Sequence, residues 1–446
     1  MDAPSASATR PTSSTSSSPA APVRRSALAE LWARPLTPYY LLAGATAMLL
    51  ALGLVMVLSA SSVTAYENSG SSFSVFSKQL MWSAMGVPLM LVASRLPVRV
   101  FRWAAYPAML GVLALLGLVM VIGVAVNGNQ NWLAFGPIRL QPSEFAKLAL
   151  ILWGADLLAR KARSIDRYRH LLVPLAPVAG LVLLLVLAGG DLGTSLVLMA
   201  ITGALLFFAG APMRLFGSLL SLGLAGIAFM TWTKPSRRRR LLSFLDPSSD
   251  PLGTGYQLMH SKYALGSGGW FGLGLGASRE KWSWLPEQQT DFILAIIGEE
   301  LGLVGTLAVL LLFGVIIASA LRIAQRTRDP FVRLAAASVA AWIGVQAVVN
   351  IGAVTGLLPI AGIPLPLISY GGSALLPTLV ALGMLMSFAR HERDAVATLA
   401  ARGPGLAQRT ARRAFGRLLP HRDAARGRAS AGRRPAAVRR PAGRER

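Results

Sequence analysis

The sequence predicts an all-α, polytopic integral membrane protein of about ten transmembrane helices, with one large extracytoplasmic loop between spans seven and eight. Three observations carry this. The 446 residues are 54% hydrophobic and only 14% charged. Their mean hydropathy of +0.54 lies outside the range of soluble domains. Apolar runs of about 20 residues, the length that crosses a hydrocarbon core, recur at 39–60, 76–94, 104–126, 143–159, 171–188, 191–210, 214–232, 290–321, 334–356 and 367–389.

Residues 1–38 are Ser-, Ala-, Pro- and Thr-rich and contain no apolar run of signal-peptide length, so the first span is expected to be an uncleaved anchor behind a disordered segment. Residues 39–390 form the membrane domain, and the arginine-rich stretch 391–446 reads as a second disordered tail. Basic connections after spans two (Arg95, Arg99, Arg102), four (Arg160, Lys161, Arg163, Arg167, Arg169) and eight (Arg322, Arg326, Arg328, Arg333) put both termini in the cytoplasm, while Ser61 to Ser74 has no Lys or Arg. Of the net charge of +25, a balance of +12 lies from Arg390 onward, 16 Arg against 4 acids. The tail is read as facing anionic membrane lipid, with nucleic acid excluded as a partner. With no cysteine, the chain has no disulfide, thiolate nucleophile or cysteine-bound metal.

The loop 233–289 breaks the charge rule, because it opens with Lys234 and Arg237 to Arg240. Either one span is miscounted or Arg239 and Arg240 serve an anionic ligand such as a pyrophosphate; a solvated charge run is the bland alternative. The loop also contains Tyr256-Gln257, with Gln257 a candidate substrate contact. Its Gly266 to Gly276 stretch reads either as a phosphate cradle or as close packing against neighbouring helices.

The loop ends in KWSWLPEQQTDFILAIIGEELG, Lys281 to Gly302. Thr290 is expected to cap a helix whose first residue is Asp291, at the membrane surface. A dipole-compensating acid is the bland reading of Asp291. Glu299 and Glu300 follow at about 1.5 Å per residue, roughly 12 Å deeper, where carboxylates are costly and are either paired or functional.

Three more stretches put polar residues at membrane depth. In Asn127 to Lys147, Pro142 and Ser143 are expected to start span four, with Ser143 as cap. Lys147 then either pairs with Glu144 at i, i+3 or, with Arg139, meets a lipid-linked phosphate. Asp191 opens span six as a cap or a functional acid. Gly356 to Ser373 holds too many prolines and glycines for a regular span. Irregular backbone survives at this depth only where it is buried or lines a cavity, so Ser369, Gly371 and Gly372 become candidate substrate contacts.

Five motifs stand in order: QPSEFAKL, DLGTS, YQ with SGGWFGLGLG, LPEQQTDFILAIIGEELG, and GLLPIAGIPLPLISYGGS. Over residues 39–390 they resemble the SEDS family of bacterial cell-wall synthesis, which comprises FtsW, RodA and SpoVE. The resemblance implies an enzyme that polymerises lipid II into a nascent glycan strand at the outer face of the cytoplasmic membrane, with Asp291 as catalytic residue. It also implies a class B penicillin-binding transpeptidase and other divisome proteins as partners. The long Ser-rich N-terminus and basic tail look more like the division branch than the elongation branch, and the arginine-rich usage fits an actinobacterium. The chain departs from the pattern at Gln130 and Asn131, where many members carry arginines, at Ser283, and at Gln289, where a histidine is common.

The chemistry needs a base for the attacking hydroxyl and cations for the departing pyrophosphate. Asp291 supplies the first; Lys147, Arg139, Arg239 or Arg240 the second, with a divalent cation (Mg2+ or Mn2+) able to share the task. No His or Asp cluster with metal-ligand spacing is present, so a bound metal has no support in the sequence itself. A lipid II transporter using Glu299, Glu300 and Asp191, or a silent scaffold, are the alternatives. The topology is testable in this cysteine-free chain: Ser249→Cys should react with an impermeant thiol reagent on intact cells and Ser430→Cys should not, and reversed labelling would overturn the assignment of faces.

Overall fold

The computed structural model describes residues 34–126, 129–136, 138–161, 168–233, 244, 246, 253–392 and 395. The chain separates into residues 1–389 and 390–446, and the second unit lies almost wholly outside the described residues. Among its described residues the first is mostly helical: α1 (Thr37–Ser69), α2 (Ser74–Ala93), α3 (Val98–Ile122), α4 (Pro142–Arg160), α5 (Tyr168–Ala188), α6 (Leu192–Phe208), α7 (Met213–Thr233), α8 (Thr254–Ser267), α9 (Ile293–Arg326), α10 (Pro330–Thr355) and α11 (Leu375–Arg390).

This is a multi-pass membrane protein. Among the described residues six helices are long and apolar enough to cross a bilayer: α1, α2, α3, α9, α10 and the stretch 372–390. Shorter apolar helices cover 173–188, 192–208 and 213–226. The remaining expected span, α4, carries Glu144, Lys147, Asp156 and Arg160, a charge load that lipid does not tolerate and a protein interior does. Fittingly, α4, α10 and α11 have most of their residues buried, whereas α2 and α3 turn most of their surface outward.

Within the expected helical fold, four local features differ from expectation. First, the predominantly helical chain also carries a small sheet. β1 (Val124–Val126), β2 (Asn129–Phe135) and β3 (Ile138–Leu140) form an antiparallel meander, built on β-branched and aromatic residues such as Val124, Trp132, Phe135 and Ile138. Secondly, α4 starts at Pro142 as expected, but its N-cap is Gln141; the Ser143 hydroxyl is bonded to Asp191 instead of capping.

Thirdly, the helix after Asp291 begins at Ile293, with Phe292 as N-cap. The carbonyls of Gln289, Thr290 and Asp291 each accept a hydrogen bond from a distant segment, and the Thr290 hydroxyl turns back to Glu287, so no helical turn forms there. Fourthly, α9 is broken at Gly302 (φ 67°, ψ −165°). A side chain there would be strained by the positive φ, and its Cβ would lie 2.4 Å from the Gly272 nitrogen.

The break has a clear cause in the preceding loop. Gly272 and Gly274, with Leu273 between them, lay their backbone against it: the amides of Leu273 and Gly274 donate to the carbonyls of Glu299 and Glu300, and those of Leu303 and Val304 donate to Gly269 and Trp270. The orphan groups of the broken helix are thereby satisfied. The glycine-rich stretch is a packing element, which is one of the two readings its sequence allows. α8, inside the long loop, was not foreseen, and the cluster Arg237 to Arg240 lies outside the described residues.

Candidate functional site

Asp291 sits on a non-helical turn that the Pro/Gly-rich segment 356–371 holds from one side. Asn350, on α10 and 2% exposed, donates both amide hydrogens: one to the Asp291 carbonyl at 2.7 Å and one to the Ile363 carbonyl at 2.8 Å. Both neighbours are acceptors, which fixes the orientation of the amide. Ser369 donates its hydroxyl to the Thr290 carbonyl at 2.6 Å and accepts from the Leu365 amide. The Tyr370 amide donates to the Gln289 carbonyl at 2.8 Å. Three consecutive carbonyls are thus pinned, and the Asp291 side chain, half-buried, borders a small pocket with Phe292, Asn350, Ala353 and residues 360–363. Its Oδ2 lies 3.7 Å from the position a Cβ on Gly362 would take.

One helical turn earlier on α10, Gln346 repeats the device. Its amide donates to the Pro364 carbonyl, and its oxygen accepts from Trp342 Nε1 and Lys147 Nζ. Lys147 is 1% exposed and pairs with Glu144 at 2.7 Å, with the Trp342 ring 5.2 Å away. Of the two sequence alternatives for Lys147, the buried pair is the one formed. Through Gln346 it is linked to the Pro364 carbonyl of the segment beside Asp291.

Arg139 is different. It is exposed on β3, and the Gln141 amide at the strand's end donates to Ser373 Oγ, which sets β3 beside Gly371 and Gly372. Arg139 therefore stands next to the Ser369 to Gly372 turn. Gly372 lies at φ 48° with Trp82 Nε1 3.5 Å from where its Cβ would be, and Gly371 closes the turn by accepting from Ala374.

Asp191 caps α6 by accepting from the Thr194 amide at 2.9 Å, and its second oxygen holds Gln141 and Ser143. It positions the start of α4 and the end of β3. Glu299 accepts from Ser278 Oγ and the Arg279 amide; Glu300 accepts from Ser59 Oγ at 2.6 Å and faces Lys281 Nζ at 3.8 Å. Both carboxylates tie the long loop to α9 and α1. Gln257, partly buried on α8, is not among the residues lining the Asp291 pocket. Arg239 and Arg240 lie outside the described residues. Among the described residues, no group of three or more His, Cys, Asp or Glu side chains is arranged to hold a metal ion.

Sequence reasoning missed Trp342, Gln346, Asn350 and Gln288. The first three did leave a signal, since they recur every fourth residue on one face of an apolar span, where polar groups are costly. Gln288, 2% exposed, binds the carbonyls of Ala60 and Lys281 and the Thr64 hydroxyl, which anchors the loop three residues before Asp291 to α1.

The model of the cell cycle protein family that groups FtsW, RodA and SpoVE matches residues 40–394. A probable peptidoglycan glycosyltransferase FtsW of Mycobacterium tuberculosis is 42% identical over 370 residues, 82% of this chain and 71% of the relative. Stage V sporulation protein E of Bacillus subtilis is 39% identical, over 80% of this chain and 98% of its own. A solved structure described as the structural coordination of polymerization and crosslinking by a peptidoglycan synthase complex superposes with a TM-score of 0.66 at 31% identity, over 79% of this chain and 97% of that one. RodA of Thermus thermophilus superposes with a TM-score of 0.60 at 29% identity, over 79% and 96%.

The buried pair on α4 gives a stability prediction. Lys147→Ala strands the Glu144 carboxylate and should cost about 3–5 kcal/mol, read as a lower unfolding midpoint of the purified protein. Glu144→Ala in the same chain should return much of it. An unchanged midpoint for the single variant would show that the pair carries no such energy.

Proposed function

We propose, from the premise that this chain belongs to the FtsW, RodA and SpoVE family of cell cycle proteins, that it is a peptidoglycan glycosyltransferase of the FtsW type. It polymerises lipid II at the outer face of the cytoplasmic membrane with Asp291 as general base. The observation that carries the reading is the pinned, pocket-bordering Asp291 on a turn whose three carbonyls are held from α10 and the segment 356–371.

In the reaction a sugar hydroxyl of one lipid-linked chain attacks the anomeric carbon of another. The new glycosidic C–O bond forms as the bond to the polyprenyl pyrophosphate breaks, and the hydroxyl proton passes to the Asp291 carboxylate. Holding the backbone of Asp291 on both sides keeps its carboxylate from reorienting as the charge develops, which is where a preorganised site gains its rate. Arg139, exposed beside the Ser369 to Gly372 turn, is assigned to the departing pyrophosphate. Lys147, spent on Glu144 and Gln346, is assigned to positioning. Ser369 has the same task, because its hydroxyl already makes two hydrogen bonds.

The residues a transporter would use, Glu299, Glu300 and Asp191, are engaged by Ser278, Arg279 and Ser59 and by Thr194, Gln141 and Ser143, an arrangement that supports the transferase reading. On this proposal both termini lie in the cytoplasm and the protein works at the division septum, beside a class B penicillin-binding transpeptidase and other divisome proteins.

Asp291→Asn keeps size and hydrogen bonding but removes basicity. Loss of a general base costs about 10² to 10⁴ in rate, so the variant should insert, bind its partner and yield no detectable glycan. Glycan of normal length and yield from the purified variant in detergent, where there is no membrane to cross, would end the catalytic proposal.

A further inference from the structure

Outside this site, one cluster of side chains in the long loop has no role so far. Tyr256, His260 and Tyr263 stand at i, i+4 and i+7 on α8 (Thr254–Ser267), one face of a helix. Their rings meet: His260 is 4.0 Å from Tyr256 and 5.7 Å from Tyr263. From the loop before Asp291, Trp284 lies nearly parallel to the imidazole, 14° between planes and 6.0 Å between centroids. Glu280 Oε2 is 2.6 Å from His260 Nδ1 and fixes the ring.

We propose that Tyr263 and Trp284, flanking the His260–Glu280 pair, form a saccharide-binding platform for an N-acetylated glycan strand. The proposal rests on the transferase reading for its biological meaning, while its physical argument stands on the cluster alone.

The exposure pattern carries it. Tyr263 and Trp284 are each 56% exposed, so their ring faces are available. The side chains between them are only 17% and 15% exposed, which makes them a fixed polar floor. Neither His260 Nε2 nor Glu280 Oε1 has a hydrogen-bond partner among the described residues. A pyranose needs this combination, since it has an apolar C–H face that packs on an aromatic ring and an equatorial rim of hydroxyls that needs acceptors and donors. The face from Tyr256 to Tyr263 spans about 10 Å at 1.5 Å per residue, close to the length of one disaccharide repeat.

Lipid fits the cluster poorly. Aromatic side chains at a membrane surface do belong to the interface, but a carboxylate–imidazole pair at their centre would lose hydration against acyl chains. An anionic ligand fits poorly too, because Glu280 would repel it. The location suits a product strand: Trp284 precedes Asp291 by seven residues, at most roughly 24 Å of extended chain.

The test is binding, which needs no catalysis and so separates this proposal from the transferase reading. The purified full-length protein in detergent is titrated with chitohexaose, a β-1,4-linked N-acetylglucosamine hexamer. Saturable binding is expected, weakened about fivefold or more by Trp284→Ala and by Tyr263→Ala. Trp103→Ala, which removes a ring 78% exposed on α3, should leave it unchanged. Absence of saturable binding, or equal loss with Trp103→Ala, overturns the platform. In reconstituted vesicles Tyr263→Cys, in a chain with no other cysteine, should react with a water-soluble maleimide and be protected by chitohexaose at a concentration that saturates the Tyr263→Ala variant. Shielding by lipid without the sugar overturns the proposal and marks the cluster as an interfacial anchor.

Discussion

The structure depends on how the non-helical segment 356–371 satisfies its backbone inside a membrane protein. Residues without regular hydrogen bonding at such depth need partners from elsewhere in the chain. Here α10 supplies them: Gln346 takes the Pro364 carbonyl and Asn350 takes that of Ile363. The second hydrogen of Asn350 goes to the Asp291 carbonyl. One buried amide therefore answers the folding requirement of one segment and the positional requirement of another. Ser369 does the same through Leu365 and Thr290. The rigidity of the site is a consequence of solving the backbone problem, with no separate device needed.

A second set of bonds fixes the other side of the Asp291 loop. Glu299 and Glu300, at the break in α9, hold the turn 278–281, and Gln288 holds the approach to Asp291 against α1. α1 is 33 residues long, more than a bilayer needs, and its excess turns carry the contacts from Ser59, Ala60, Thr64 and Glu67. Its last turns thus act as a strut for the loop. Glu299 is held at depth by a hydroxyl and a backbone amide, whereas Glu144 and Asp156 take Lys147 and Arg160 as counter-ions.

What the sequence made legible was local. Asp191 as a cap, the Glu144–Lys147 pair at i, i+3 and the irregular run of prolines and glycines each follow from chemistry within a few residues. The misreadings came from distant partners. Thr290 and Asp291 look like a helix start, but their carbonyls are claimed by residues 79 and 59 positions away. The Gly302 break depends on the glycine loop that fills it, and neither half announces the other. Trp342, Gln346 and Asn350 were readable as a polar stripe in an apolar span, yet what they bind was not. The meander at 124–140 was masked by flanking apolar helices, its strands being too short to stand out.

The central claim is that Asn350 serves the reaction by holding Asp291, beyond any contribution to folding. The direct measurement is steady-state glycan polymerisation by Asn350→Leu, which keeps volume and removes both donors, alongside its unfolding midpoint. The account predicts a folded protein whose kcat falls about tenfold to a hundredfold, as expected when a reacting group shifts by about 1 Å, with the KM for lipid II nearly unchanged. A lowered midpoint with unchanged kcat would contradict it, and would reduce Asn350 to a structural tie for the segment 356–371.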